Sequence, residues 1–305
     1  MIDILLALYN GGRFLPDMID SILAQTETGW HLYICDDGSK DDSVSIAEGY
    51  AGRYPDRITV MKNDPPTGSA CGNFMAMLRR SDAEYVMFCD QDDVWLPDKI
   101  EKTLAVMDTA DMSRPVLVHT ELEVTDESLA VLHPSFTRFQ GLDPRCRTIN
   151  RLLAQNNVTG CTVMINRALC DMIRDIPPGD MLMHDWWAAL TAAAFGQILF
   201  VDTPTIKYRQ HSGNVLGAVN NRSAKGVAAV LKDSSRTRER INATYRQAEA
   251  FMEHYKDLLP DKERSAVEGY ISLQRSIKPV RIIKLIKNGY LKKNLMSAAG
   301  QMWFC

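Results

Sequence analysis

Tyr85–Asp93 reads YVMFCDQDD: five largely apolar residues run straight into three carboxylates within four positions. A short unbroken apolar run of this kind reads as a strand buried on both faces. Asp90-Gln91-Asp92-Asp93 then stands at its carboxyl end. Three like charges so close together are costly unless a cation joins them. Hard oxygen ligands of this type suit Mg²⁺ or Mn²⁺ bridging a diphosphate. The same residues also read as a solvated loop, with Asp92 or Asp93 capping a helix expected over Leu96–Met107.

Working outward, the same strand-then-polar-cluster unit recurs. Ile2–Tyr9 (IDILLALY) is an apolar strand that ends at Asn10-Gly11-Gly12. His31–Cys35 (HLYIC) is a second, ending at Asp36-Asp37-Gly38-Ser39, and Ile58–Met61 is a third. Apolar residues at helical spacing fill Phe14–Gln25, Ser43–Arg53 and Cys71–Arg79 between them. Strand–helix alternation from the first residue predicts an α/β fold whose sheet begins as parallel strands with crossover helices. Its carboxyl edge is where ligands bind in such sheets.

The middle of the chain predicts strands over Val116–Val124, Thr162–Ile165 and Ile198–Val201, helices over Arg167–Ile173 and Asp185–Phe195, and loop over Ser135–Asn150. After about Gly217 only helices are expected: Ala224–Lys232, Arg238–Leu259, Asp261–Ser276 and Val280–Ser297. The Gly/Asn-rich stretch 213–223 divides a domain over 1–215 from a helical region over 216–305.

Charge follows that division. The formal net charge of −3 hides 18 basic and 30 acidic residues in 1–215 against 17 basic and 8 acidic in 216–305. Composition is that of a globular protein, which excludes collagen-like, disordered and disulfide-dense classes. No apolar run approaches the roughly 18 residues of a membrane span. Met1–Asn10 lacks the basic flank and cleavage site of a signal peptide. The seven cysteines include no C-x-x-C pair, so buried thiols in a reducing cytosolic setting are expected rather than zinc.

Two further clusters bear on chemistry. His184-Asp185-Trp186-Trp187 opens an apolar helix. An Asp there is an N-cap or, beside two indoles, a general base in a sugar-stacking wall. Tyr208-Arg209-Gln210-His211 ends the last strand of the first region, where His211 is a structural residue or a metal ligand. Asp36-Asp37-Gly38-Ser39 likewise reads as an acidic turn or as acceptors for a base or ribose.

Together these motifs resemble family 2 glycosyltransferases, inverting enzymes with a GT-A fold, and within them the rhamnosyltransferase-like branch. The matching residues are Leu8–Leu15 (LYNGGRFL), Ser21–Thr26 (SILAQT), Asp36–Asp41 (DDGSKD), Asn73-Phe74, Cys89–Trp95 (CDQDDVW), His184–Trp187 and Tyr208–His211. The resemblance covers roughly residues 1–215. It implies a mixed, mostly parallel sheet flanked by helices and a nucleotide-sugar donor, dTDP-rhamnose or a UDP-sugar. It implies donor contacts from Tyr9, Asn10, Asp36, Asp37 and Asp90, the last in a D-x-D motif. Asp92 and His211 would be ligands of Mg²⁺ or Mn²⁺, Asp185 the catalytic base, and Trp186 and Trp187 the acceptor pocket, although Trp187 reads equally as core packing of its helix. Many members have Glu-Asp where this chain has His184-Asp185, which leaves the role of His184 open. The Q-x-x-R-W motif and membrane helices of processive members are absent. One or a few sugars would therefore pass to a glycan or lipid-linked acceptor in bacterial surface polysaccharide synthesis. A nucleotidyltransferase and a non-catalytic nucleotide-sugar-binding module are the alternatives. Gly11-Gly12-Arg13 is too short for a triphosphate loop, and intact Asp92, Asp185 and His211 speak against a binding module.

The tail Arg275–Lys293 (RSIKPVRIIKLIKNGYLKK) is basic and amphipathic with no acidic residue. It reads as a peripheral contact with the inner face of an anionic plasma membrane. It reads equally as a helix that packs its apolar face on the domain and exposes its lysines. Without interleaved aromatics, nucleic acid is not an expected partner.

Overall fold

The computed structural model describes residues 1–211 and 234–304. The expected alternation is present: β1 (Ile2–Leu8), α1 (Leu15–Leu23), β2 (Trp30–Asp36), α2 (Ser43–Arg53), β3 (Ile58–Lys62), α3 (Ala70–Leu78) and β4 (Tyr85–Asp90). β1, β2, β3 and β4 are parallel, in the order β3-β2-β1-β4. The chain thus winds outward from β1 in one direction and returns to its other side. The carboxyl ends of β1 and β4 form the switch point where an open α/β sheet binds ligands. Register brings these ends level: Leu8 pairs with Asp36, and Ala7 with Asp90.

The sheet continues through β5 (Val94–Trp95), β6 (Val116–Thr125), β7 (Val131–His133), β8 (Val163–Asn166) and β9 (Gln197–Arg209). β8 runs antiparallel to β4 and β6, and β9 parallel to β6. The intervening helices are α4 (Lys99–Met107), α5 (Phe136–Gln140), α6 (Ile149–Ala154), α7 (Arg167–Ile173) and α8 (His184–Phe195). The strands bury both faces, so side chains alternate between two cores. Leu5, Val86 and Phe88 pack toward α3, α6, α7 and α8, whereas Ile4, Leu6, Met87 and Cys89 pack toward α1, α2 and α4.

Three expectations are corrected. β9 is far longer than Ile198–Val201. Its polar stretch Asp202–Pro204 conceals the strand, and its pairing with β6 shifts register at Thr120/Glu121. The helix expected from Leu96 begins at Lys99, because Val94 and Trp95 pair first with β9. The loop expected over Ser135–Asn150 contains α5 and the start of α6.

The described C-terminal helices are α9 (Ser234–Tyr255), α10 (Asp261–Ile271), α11 (Lys278–Lys287) and α12 (Leu295–Phe304). The expected helix Ala224–Lys232 and the division at 215/216 fall outside the described residues. The single helix expected over Val280–Ser297 is two, since Asn288 ends α11 and Gly289 takes a positive φ of 72°. Phe251 and Tyr255 of α9 share a core with α8. Among the described residues, no helix is long and apolar enough to cross a membrane.

Trp187 sits in that shared core. It is fully buried, edge-on to Phe251, and its indole N–H donates to the Tyr255 hydroxyl over 3.2 Å. It is a core residue, and its expected place in an acceptor pocket is corrected: helical geometry turns it inward when Trp186 faces the rim. Trp187→Ala should cost about 3–5 kcal/mol of unfolding free energy, read from urea denaturation.

Candidate active site

The strand-end loops hold one another. The Gln91 carboxamide pairs with the Tyr9 peptide, accepting from its N–H at 2.8 Å and donating to its C=O at 3.0 Å. Asn10 has a φ of +49°, with its N–H on Ser39 Oγ and its Oδ1 accepting from the Lys40 N–H. The Gly11 N–H donates to Ser43 Oγ and the Gly12 N–H to Asp41. A Cβ at Gly11 would lie 2.3 Å from Gln91 Oε1, so the bare backbone is what permits the clamp. The Tyr9 side chain stands exposed at the rim.

Asp36 and Asp37 are both buried and both serve their own loops. Asp36 accepts from the Gly38 and Ser39 N–H groups. Asp37 accepts from Asn63 Nδ2, the Thr67 and Gly68 N–H groups and the Thr67 hydroxyl, at 2.7–3.0 Å. Burial opposes its ionisation, but these bonds outweigh burial and hold Asp37 below the ordinary carboxylate value. Asn73 props this loop, accepting from Asn63 Nδ2 and donating to the Cys35 C=O.

At the end of β4 the carboxylates crowd. Oxygens of Asp90 and Asp93 and the Cys161 thiol lie within 4.8 Å of one another. Burial, then the charges of Asp92 and Asp185, push Asp90 up to about 7. Asp92 Oδ2 accepts from His211 Nε2 at 2.8 Å, and His211 stacks on Phe14. Arg209 ties the loop down. Its N–H donates to Asp93, its Nε to the Asp92 C=O, its Nη1 to the Glu127 C=O and its Nη2 to Asp17.

Asp185 lies in the first turn of α8, near enough to Asp90 for its charge to raise that carboxyl. Burial pushes its carboxyl up to about 6, against hydrogen bonds from the Trp186 N–H, Asn156 and Gly160. His184 lies behind it between Phe74 and Phe88, with ring centroids 4.3 and 4.5 Å away. Burial drives its pKa down to about 3, so it is a neutral wedge. Trp186 donates from its indole to the Leu152 C=O and is partly exposed.

Residues 3–170 match Glycosyl transferase family 2, more than half of the chain. The chain belongs to that family. It is 26% identical over 223 residues to the dTDP-rhamnosyl transferase RfbG of Shigella flexneri, covering 70% of this chain and 74% of that one. It is 33% identical over 107 residues to the putative glycosyltransferase EpsE of Bacillus subtilis, covering 35% and 38%. The fold is that of Staphylococcus aureus TarS residues 1–349, solved with UDP: TM-score 0.57, 16% identity, 95% and 92% coverage. The mannosyltransferase PcManGT of Pyrobaculum calidifontis, solved with GDP-Man and Mn²⁺, superposes at TM-score 0.52 and 16% identity, with 99% and 82% coverage. The fold is therefore GT-A, and this protein is a glycosyltransferase.

In this family 2 enzyme the expected residues Tyr9, Asn10, Asp36, Asp37, Asp90, Asp92 and His211 gather on one sheet edge, with Asp185 near enough to raise Asp90. Asp185 and His211 lie beyond the matched residues. Carboxylate oxygens and an imidazole suit a hard divalent cation, and the raised Asp90 marks charge that such a cation would relieve. Sequence reasoning missed the supports. Ser21 Oγ accepts from the Trp95 N–H, and Gln25 bonds the Leu96 C=O and the Ile100 N–H. Their presence in the Ser21–Thr26 motif was the available signal. Lys99, fully buried beneath the loop with its ammonium over the Trp95 ring, carried no signal at all.

Asp37→Asn should cost about 1.5–3 kcal/mol at neutral pH, because charge-assisted hydrogen bonds are lost. Since the folded pKa is depressed, this cost should be full above the unfolded carboxylate pKa. It should vanish as pH falls through the folded one, in unfolding curves measured from pH 7 downward.

Proposed function

We propose that this glycosyltransferase moves a sugar, with inversion, from a nucleoside-diphosphate sugar to an acceptor hydroxyl in bacterial cell-envelope polysaccharide synthesis. dTDP-rhamnose is the favoured donor, given the Shigella relative, and a UDP-sugar the second. The observation that carries the reading is the gathering of Asp90, Asp92, Asp93 and His211 at the carboxyl end of β4, with Asp185 of α8 near enough for its charge to raise the Asp90 carboxyl. This supports reading Asp185 as the base, and Asp90 as a contact of the donor and cation that would bring compensating charge.

The exposed Tyr9 ring would stack on the base, with Asn10, Asp36 and Asp37 shaping the loops around it. Asp90, Asp92 and His211 would hold Mg²⁺ or Mn²⁺, which when bound supplies positive charge to the leaving diphosphate. Asp185 takes the proton of the acceptor hydroxyl as its oxygen attacks the anomeric carbon and the bond to the diphosphate breaks. A single base is sufficient for such a one-step displacement. Trp186 would flank the acceptor. With the family shown, no observation favours a nucleotidyltransferase or a binding module. The glycan or lipid-linked acceptor, the cytoplasmic setting and the membrane contact through residues 275–293 belong to the same proposal.

The test is a donor panel read as nucleoside diphosphate release with and without Mn²⁺. Release from one donor, lost on chelation, is expected; release without any cation would overturn the metal assignment. Asp185→Asn should lower transfer by about 100-fold or more while donor binding survives. If donor binding is lost in a folded variant, Asp185 is not the base.

A base works only when ionised. Transfer should therefore fall as pH drops through about 6, followed as kcat between pH 5 and 8.

A further inference from the structure

The basic tail hides only part of its apolar surface. Arg281 Nη2 donates to the Gln274 and Ser276 carbonyls, and Lys284 Nζ to the Ser272 and Ser276 hydroxyls. These two cations thus fold back onto the turn after α10. Leu285 is the buried residue of α11. The outward face is apolar: Ile283 is 61% exposed and Ile286 57%, with Val280 one turn before and Ile277 at 71% beside the helix start. Trp303 of α12 is 66% exposed, its ring 5.3 Å from Lys278 Nζ, which also donates to the Trp303 C=O. Arg275, Lys278 and Lys287 are exposed around it. Residues 269–305 contain seven basic residues and no acidic one.

A cavity of about 340 Å³ lies between α9, α11 and α12, lined by Arg238, Asn242, Lys278, Arg281 and Trp303 among others. Among the described residues no carboxylate pairs with Arg238, Lys278 or Arg281. Arg281 Nε is buried there without a hydrogen-bond partner. Three cations with no counter-charge among the described residues, and a guanidinium N–H without a hydrogen-bond partner there, are the chemistry of phosphate recognition. Exposed aliphatic side chains and an indole ringed by cations are the chemistry of a bilayer interface.

We propose that this face docks on a bilayer carrying anionic phospholipid. Val280, Ile283, Ile286 and Trp303 enter the interface, and a headgroup phosphate occupies the Arg238–Lys278–Arg281 cavity. A second copy is a poor occupant, because a two-fold contact would set the cations around this face against one another with no acidic residue to offset them. The inference rests on the membrane-contact part of the proposed function and specifies it. Vesicle binding is measured without sugar transfer, so failure of docking leaves the transferase reading standing, and the converse also holds.

The experiment is vesicle co-sedimentation of the full chain. Phosphatidylcholine vesicles with and without phosphatidylglycerol are compared at low and high salt, with transfer to a soluble acceptor as control. Binding should be at least tenfold stronger with phosphatidylglycerol and should weaken with salt. The double variant Ile283→Asp, Ile286→Asp should lose it, and Arg238→Ala should reduce it several-fold, with thermal unfolding and soluble-acceptor transfer unchanged. Equal binding to neutral vesicles, or no effect of Arg238→Ala, would overturn the headgroup cavity. Binding of inorganic phosphate without vesicle binding would overturn the docking. So would a dimer in light scattering that Ile283→Asp dissolves, since it assigns the face to a second copy.

Discussion

The constraint on which this site turns is the crowding of Asp90, Asp92 and Asp93 at the end of β4. Two full charges at the 4.8 Å bound on the Asp90–Asp93 spacing repel by about 3.5 kcal/mol at an effective dielectric of about 20. That is a large share of the margin by which a domain is stable. The fold answers with donors and cations on several sides. The Arg209 N–H reaches Asp93, and the His211 imidazole reaches Asp92. Lys99 lies beneath, where burial lowers its pKa to about 8.

Repulsion of this size would ordinarily be relieved by letting the loop swing into water. Here that route is closed. Ser21 and Gln25 of α1 bind the backbone after the acidic cluster, Thr26 meets the Pro97 carbonyl, and Gln91 is clamped to the Tyr9 peptide. Arg209 spans from Asp17 on α1 to Glu127 beyond β6. With motion blocked, a proton or a cation is what can discharge the strain. The raised Asp90 is the proton's version of that answer, and a divalent cation is the version that serves a diphosphate. Rigidity and reactivity thus come from the same hydrogen bonds.

The first half of the fold was legible because β1, β2 and β4 are buried on both faces and end abruptly in polar residues. An apolar run followed by Asp-Asp or Asp-Gln-Asp marks both a strand and its carboxyl edge. Most of the gathered residues were legible for the same reason, since each stands at a strand end. What stayed hidden depends on distance. Asn156 and Gly160 support Asp185 from a segment whose sequence reads as loop. Cys161 reaches Asp90 and Asp93 from the turn before β8. Neither period nor spacing links residues 70 apart. β9 was under-read because Asp202–Pro204 breaks its apolar pattern where its pairing with β6 shifts register.

The two tryptophans and the tail show a subtler limit. Periodicity says which residues share a helix face; it does not say which face turns inward. At Trp186-Trp187 the helical rotation of about 100° per residue puts one indole at the rim and its neighbour in the core, where α9 supplies Phe251 and Tyr255. On α11 the aliphatic stripe would ordinarily decide orientation, yet Ile283 and Ile286 lie outside. The inward surface meets the turn after α10, whose Gln274 and Ser276 carbonyls need donors. Arg281 supplies them, Lys284 donates to the Ser272 and Ser276 hydroxyls, and a helix cannot present both faces to the same neighbour. The polar obligation of the preceding turn therefore sets the rotation of α11, and its aliphatic residues are left facing out.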